Sequence, residues 1–145
     1  MNKLLNIKQN NSFIFIFFII FIFSLLSRFL FLDLRAVHHD ESLHGYYSWL
    51  LSNGFGYEHN PLMHGPLNFH LNALSFLIFG DSDFTLRIAP ALIGSILVIT
   101  PCLFKDYIGK YAAIILSLVF LFSPVLLYFS RFARNDIFIA FMSVL

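Results

Sequence analysis

The sequence has one cysteine, little charge and no excess of either sign. Each shortage excludes something. The lone thiol, Cys102, lies inside an apolar run, which rules out a disulfide framework and a cysteine-ligated metal site. A net charge of +1 leaves no electrostatic footprint for nucleic acid, so no nucleic-acid partner is expected. Only 12% of the residues are charged, where a soluble domain carries about a quarter. There is no internal repeat and no His-Glu-x-x-His zinc motif. What is present instead is apolar side chain: 59% hydrophobic residues over 145 positions, 20 of them phenylalanine. A water-soluble core of this size cannot hide so much, because surface grows too steeply relative to volume. The expected solvent is lipid, and the expected fold is all-α, built from polytopic transmembrane helices.

A spanning helix needs about 20 mostly apolar residues. Residues 13–32 qualify, with Arg28 near one end where a long side chain can snorkel to the headgroups. Residues 84–104 and 111–130 are the second and third candidates, and residues 137–145 begin a fourth. That last run is too short to span, so the chain is expected to be part of something longer. The first span reads as a retained signal-anchor, since its apolar run exceeds a cleaved leader's and no small-x-small site follows. Residues 1–12 are then a cytoplasmic tail, 105–110 a cytoplasmic loop and 131–136 an extracytoplasmic loop. Lys3, Lys8, Lys105 and Lys110 fall inside, while Arg35, Arg131 and Arg134 fall outside, so the positive-inside preference is slight.

The chemistry is concentrated in the extracytoplasmic loop 33–83, which holds all six histidines and six of the eight acidic residues. Residues 40–53 read as an amphipathic helix capped by Asp40 and stopped at Asn53-Gly54. Leu43, Tyr46, Tyr47 and Leu50 fall on one side of it; Asp40, Glu41, His44, Ser48 and Ser52 fall on the other. Such a helix is expected to lie flat on the membrane with its apolar face down. Residues 67–79 read as a second interfacial helix, ended by Gly80.

Three clusters could carry chemistry. His38-His39-Asp40-Glu41 places two carboxylates beside the low-dielectric boundary, where their pKa values can separate. One of them could deprotonate an acceptor hydroxyl or hold a divalent cation, with Asp40 and His44 at i, i+4 suited to one metal. The rival reading is an ordinary solvated helix start. Tyr57-Glu-His-Asn-Pro61 with Met63-His-Gly-Pro66 is turn chemistry, in which His64 could face a polar pocket or serve structure alone. Ser130-Arg-Phe-Ala-Arg-Asn-Asp136 offers two arginines suited to a phosphate, with Asp136 able to pair with either; a structural ion pair is the rival.

In order, the chain presents the carboxylate pair after the first span, His64-Gly-Pro-Leu-Asn-Phe-His70, Leu77-Ile-Phe-Gly80, Leu86-Arg-Ile-Ala-Pro-Ala-Leu-Ile-Gly94, and Ser123-Pro with Tyr128, Arg131 and Asp136. This ordered set resembles the N-terminal part of GT-C membrane glycosyltransferases, the branch of protein O-mannosyltransferases and aminoarabinose transferases. His39-Asp-Glu-Ser with Tyr46-Tyr-Ser48 is most similar to the prokaryotic flippase-activity-associated subfamily. The resemblance implies a sugar donor linked to polyprenyl phosphate and transfer on the extracytoplasmic face to a glycan, lipid or protein. It further implies Asp40 as base or metal ligand with Glu41 supporting it, and Arg131 and Arg134 on the donor phosphate. His39, His44, His64 and Asp136 are expected in supporting places. Any cofactor is left open, a divalent cation included. Taken alone, a chain of this extent is expected to be inactive. The alternative function is a non-catalytic partner or transporter handling lipid-linked glycans in the cell membrane.

Overall fold

A computed structural model describes residues 2–58 and 65–145, with side chains from Asn11 onward. His59, His64 and the Asn60-Pro61 turn lie outside the described residues. Within them the chain is helical throughout: α1 (Asn2–Phe29), α2 (His39–Ser52), α3 (Leu67–Phe79), α4 (Asp83–Leu86), α5 (Ile88–Ile99), a 3₁₀ turn (Thr100–Phe104), α6 (Lys105–Ile108), α7 (Lys110–Phe122), α8 (Pro124–Ser130) and α9 (Asp136–Val144). Two stretches, Asn11–Phe29 and Ile88–Ile108, are long and apolar enough to cross a membrane, and α7 with α8 makes a third if that bent pair is one span.

The bends follow from backbone chemistry. Between α7 and α8 the axis turns by 62°. Pro124 has no N–H to give to the carbonyl four residues back, and its ring crowds that carbonyl. Ser123 ends α7 in an extended conformation and caps α8, its hydroxyl accepting from the Leu126 N–H at 3.3 Å. The carbonyl released by Pro124 is that of Phe120, and Arg28 Nη2 on α1 donates to it at 3.5 Å. Arg28 is therefore fully buried between helices rather than reaching for headgroups, because a carbonyl deprived of its helical partner lies within its reach. Upstream, the chain breaks at Arg87, so α5 begins at Ile88 with Pro90 in its first turn, where a missing N–H costs no helical bond.

The bundle is sealed by apolar contacts between α1, α5 and α7, through Phe13, Phe17 and Ala113 and through Ile20, Val98 and Leu121. Ala89 and Leu97 of α5 meet Ile137 and Phe138 of α9. Gly94 lets α8 approach α5 closely: a Cβ at Gly94 would fall on the Ser130 side chain and come within 3.2 Å of its Cα.

The α2–α3 pair buries the polar side of α2 and leaves outward the apolar side expected to meet the membrane. Its polar residues Glu41, His44 and Ser48 are buried, while Leu43, Tyr46 and Trp49 face outward. On α3, Asn68, Asn72 and Ser75 are buried beside Phe69, Ala73 and Phe76, whereas Leu67, Leu74, Leu77, Ile78 and Phe79 are exposed. The buried polar atoms are largely satisfied. Asn72 Nδ2 donates to Asn68 Oδ1 at 3.2 Å, Asn68 Nδ2 to the Ala133 carbonyl at 3.3 Å, and Ser48 to the His44 carbonyl at 2.7 Å. The cap of α2 also differs from expectation. His38 is the N-cap, its Nδ1 accepting from the Asp40 N–H at 3.2 Å, while the Glu41 carboxylate accepts from the His38 N–H at 3.1 Å. Glu41 in the third helical position closes this capping box, which frees the Asp40 side chain for other contacts.

Candidate functional site

Asp40 and Glu41 are neighbours with opposite surroundings. Glu41 is fully buried. Its Oε1 accepts from Arg87 Nε at 2.8 Å and from the Ala133 N–H at 3.0 Å. Its Oε2 accepts from Arg87 Nη2 and Arg35 Nη2, each at 2.9 Å, and from the His38 N–H. Burial alone would raise the Glu41 pKa. The hydrogen bonds from Arg87 and from the Ala133 and His38 amides, together with the charge of Arg87, outweigh it and hold the carboxyl below the usual range. With both oxygens occupied, Glu41 positions other groups and has no lone pair facing a substrate.

Arg87 extends the same network. Its Nη1 donates to the Leu32 and Arg35 carbonyls, both at 2.9 Å, and so pins the segment between α1 and α2. The Ala133 peptide is held from both sides, its N–H by Glu41 and its C=O by Asn68. Two helices from the 33–83 loop thereby fix the turn that carries Arg131 and Arg134.

Asp40 is half-exposed, and its Oδ2 accepts from Arg134 Nη1 at 2.9 Å. Arg134 Nε also lies 3.3 Å from Asp136 Oδ2, so one guanidinium bridges two carboxylates. Arg131 instead donates to the Ser27 carbonyl at 3.0 Å and the Phe31 carbonyl at 2.6 Å, at the C-terminal end of α1 where helix carbonyls lack partners. Burial, followed by the positive charges of Arg87 and Arg35, lowers the Arg131 pKa from its usual value.

The remaining expected residues fall apart. His44 is buried with its ring centroid 4.9 Å from that of Phe69, whereas Asp40 is half-exposed. His39 is exposed at the start of α2. Among the described residues no three His, Cys, Asp or Glu side chains stand close enough to hold a metal ion.

Beside Arg134 opens a groove of about 530 Å³. Arg134, Asn135 and Asp136 form its polar end, and Leu67, Phe138, Ile139 and Met142 line its apolar walls. Asn135 adds a buried amide nitrogen with no acceptor among the described residues. Residues 63–145, more than half of the chain, match the family described as dolichyl-phosphate-mannose-protein mannosyltransferase. The chain belongs to the dolichyl-phosphate-mannose-protein mannosyltransferase family. It is a membrane glycosyltransferase of the GT-C type. The family match contains Arg87, Arg131, Arg134, Asn135 and Asp136 and begins after the Asp40–Glu41 pair. No curated protein and no solved structure gives a significant match.

Arg87, Asn68, Arg35 and Asn135 were not among the residues singled out by sequence reasoning. Arg87 stands inside the Leu-Arg-Ile-Ala-Pro motif and could have been suspected from it. Its partner, Glu41, is 46 positions away, and nothing in the spacing connects the two.

Proposed function

We propose that the full-length protein transfers a sugar from a polyprenyl-phosphate-linked donor to an extracytoplasmic acceptor, with Asp40 as the base and Arg134 on the donor phosphate. The observation that carries this reading is the groove beside Arg134. A polyprenyl phosphate is an anion on an apolar chain, and the groove has a polar end, with the Arg134 guanidinium and the Asn135 amide as donors beside Asp136, and apolar walls. The donor phosphate would sit at Arg134 and the Asn135 amide, and the isoprenoid along Phe138, Ile139 and Met142. Arg131 adds positive potential nearby, and Asp136 holds Arg134 in place.

In the reaction an acceptor oxygen attacks the anomeric carbon. The new C–O bond forms as the bond to the phosphate oxygen breaks, and the phosphate leaves with that electron pair. Asp40 takes the acceptor proton, and arginine stabilises the charge growing on the phosphate. Before the donor arrives Arg134 is shared between Asp40 and Asp136; a phosphate in the groove would draw it off Asp40 and leave that carboxylate free to accept a proton.

The topology proposed with this chemistry is multi-pass, with the N-terminus cytoplasmic and the 33–83 loop outside. Lys105 and Lys110 both lie over the Phe13 ring, 5.7 and 5.9 Å from its centroid, whereas the site gathers at the other end of α1. The outward apolar faces of α2 and α3 support placing this pair in the outer membrane interface, where lipid rather than water is the neighbour.

Asp40→Asn tests the assignment. In membranes that contain the full-length protein and are supplied with polyprenyl-phosphate sugars, transfer should fall at least ~100-fold, the scale of a lost general base, with insertion and helix content unchanged. Transfer at the wild-type rate would remove Asp40 from the mechanism.

A further inference from the structure

The far end of the α2–α3 pair carries a second pocket, separate from the groove at Arg134. It measures about 240 Å³ and is lined by Trp49, Ser52, Asn53, Phe76, Leu77, Gly80 and Asp81. Trp49 is exposed, and its indole Nε1 donates to Asp81 Oδ2 at 3.0 Å, which fixes the ring against the pocket. The Gly80 backbone, with φ +81°, lies in the left-handed region that favours glycine, and this turn brings Asp81 beside Trp49.

The hydrogen-bonding capacity of the pocket leans toward acceptors. Ser52 Oγ and Asn53 Nδ2 both donate to the Trp49 carbonyl at 2.8 Å. The Ser52 donor is therefore used, and what the two residues offer to a ligand is the Ser52 lone pairs, Asn53 Oδ1 and the second Asn53 N–H. Asp81 adds a carboxylate, and no lysine or arginine among the described residues lines the pocket. A half-open indole face with several acceptors and one carboxylate suits a ring that is apolar on its C–H face and rich in O–H donors on its edge. That is a pyranose. A metal cation would want more carboxylate oxygens than one aspartate supplies.

We propose that this pocket is a sugar-binding subsite, separate from the transfer site, that holds a pyranose unit. Trp49 lies nine residues along α2 from Asp40, about 14 Å at 1.5 Å per residue and half a turn round the helix, so the pocket opens on the other side of α2 from Asp40. Its binding of a pyranose does not rest on the transferase reading above.

Trp49 is the only tryptophan of the chain, so its fluorescence reports this pocket alone. The detergent-solubilised chain is titrated with the methyl glycosides of glucose, mannose, galactose and N-acetylglucosamine, and with their disaccharides. At least one should give a saturable change in emission. Asp81→Asn and Asn53→Ala should each weaken that response about 10-fold, the effect of losing one hydrogen-bonded polar partner, with circular dichroism unchanged. Asp40→Asn should bind as wild type, so binding is read independently of catalysis. The proposal is overturned by no saturable response to any glycoside, by an equal response in Asp81→Asn, or by a response to choline and to no sugar. A failure here leaves the transferase assignment standing, and transfer at the wild-type rate in Asp40→Asn leaves this pocket standing.

Discussion

Asp40 and Glu41 differ by one methylene and one position, yet they belong to two different regions. Glu41 lies in a sealed core of arginines and backbone amides, every oxygen occupied. Asp40 lies on an open rim, on a guanidinium that also borders the groove. The comparison teaches that a carboxylate pair beside a membrane need not be two halves of one acid–base device. One member is sealed in the wall and the other stands on an exposed rim. The wall matters to the rim because Glu41 and Asn68 hold the Ala133 peptide, next to Arg134 in the chain.

The comparison breaks first at the wall. Arg87→Ala removes the buried guanidinium from Glu41 and should cost about 3 kcal/mol, the low end of the penalty for breaking a buried pair, because Arg35 and two backbone amides stay on the carboxylate. Thermal or denaturant unfolding in detergent measures it, and a loss below about 1 kcal/mol, the scale of an exposed pair, would show that the core is not sealed. A smaller effect follows from pH. Because the folded state holds Glu41 below its unfolded pKa, the stabilisation is complete above the unfolded value of about 4.3 and disappears as pH falls through the lower folded value. An acid titration of helix content should show this limb in the wild type, and Glu41→Gln should lack it; the same limb in both would move its origin to another carboxylate. The smallest stability change belongs to the rim. Arg134→Gln breaks part-exposed pairs with Asp40 and Asp136 and should cost no more than about 1 kcal/mol. Transfer should nevertheless collapse in that variant, so a large loss of stability with transfer retained would reverse the roles assigned to wall and rim.

Much of the frame was legible before any coordinates. Run lengths and low charge point to helices in lipid, Gly80 and Asn53 end α3 and α2 near where turn chemistry says they should, and the ordered motifs lead to the family. The face of α2 that turns inward was not legible. Periodicity separates Leu43, Tyr46 and Leu50 from Glu41, His44 and Ser48 but carries no sign. Which side is buried depends on whether the neighbour is water, lipid or another helix, and α3 presents Asn68 and Asn72 to meet the polar side. Arg28 was misread for a similar reason: its environment is set by a carbonyl on another helix, freed by a proline 96 positions downstream.

By itself, then, the sequence determined the solvent, the helices and the family, because these depend on composition, run length and local order, which are properties of consecutive residues. The tertiary structure alone decided that Glu41 is sealed while Asp40 is open, that Arg87 and Asn68 brace the site, and that Arg134 borders an apolar groove. Those outcomes depend on hydrogen bonds and burial between segments up to 94 positions apart, and short-range spacing carries no record of which segments will meet.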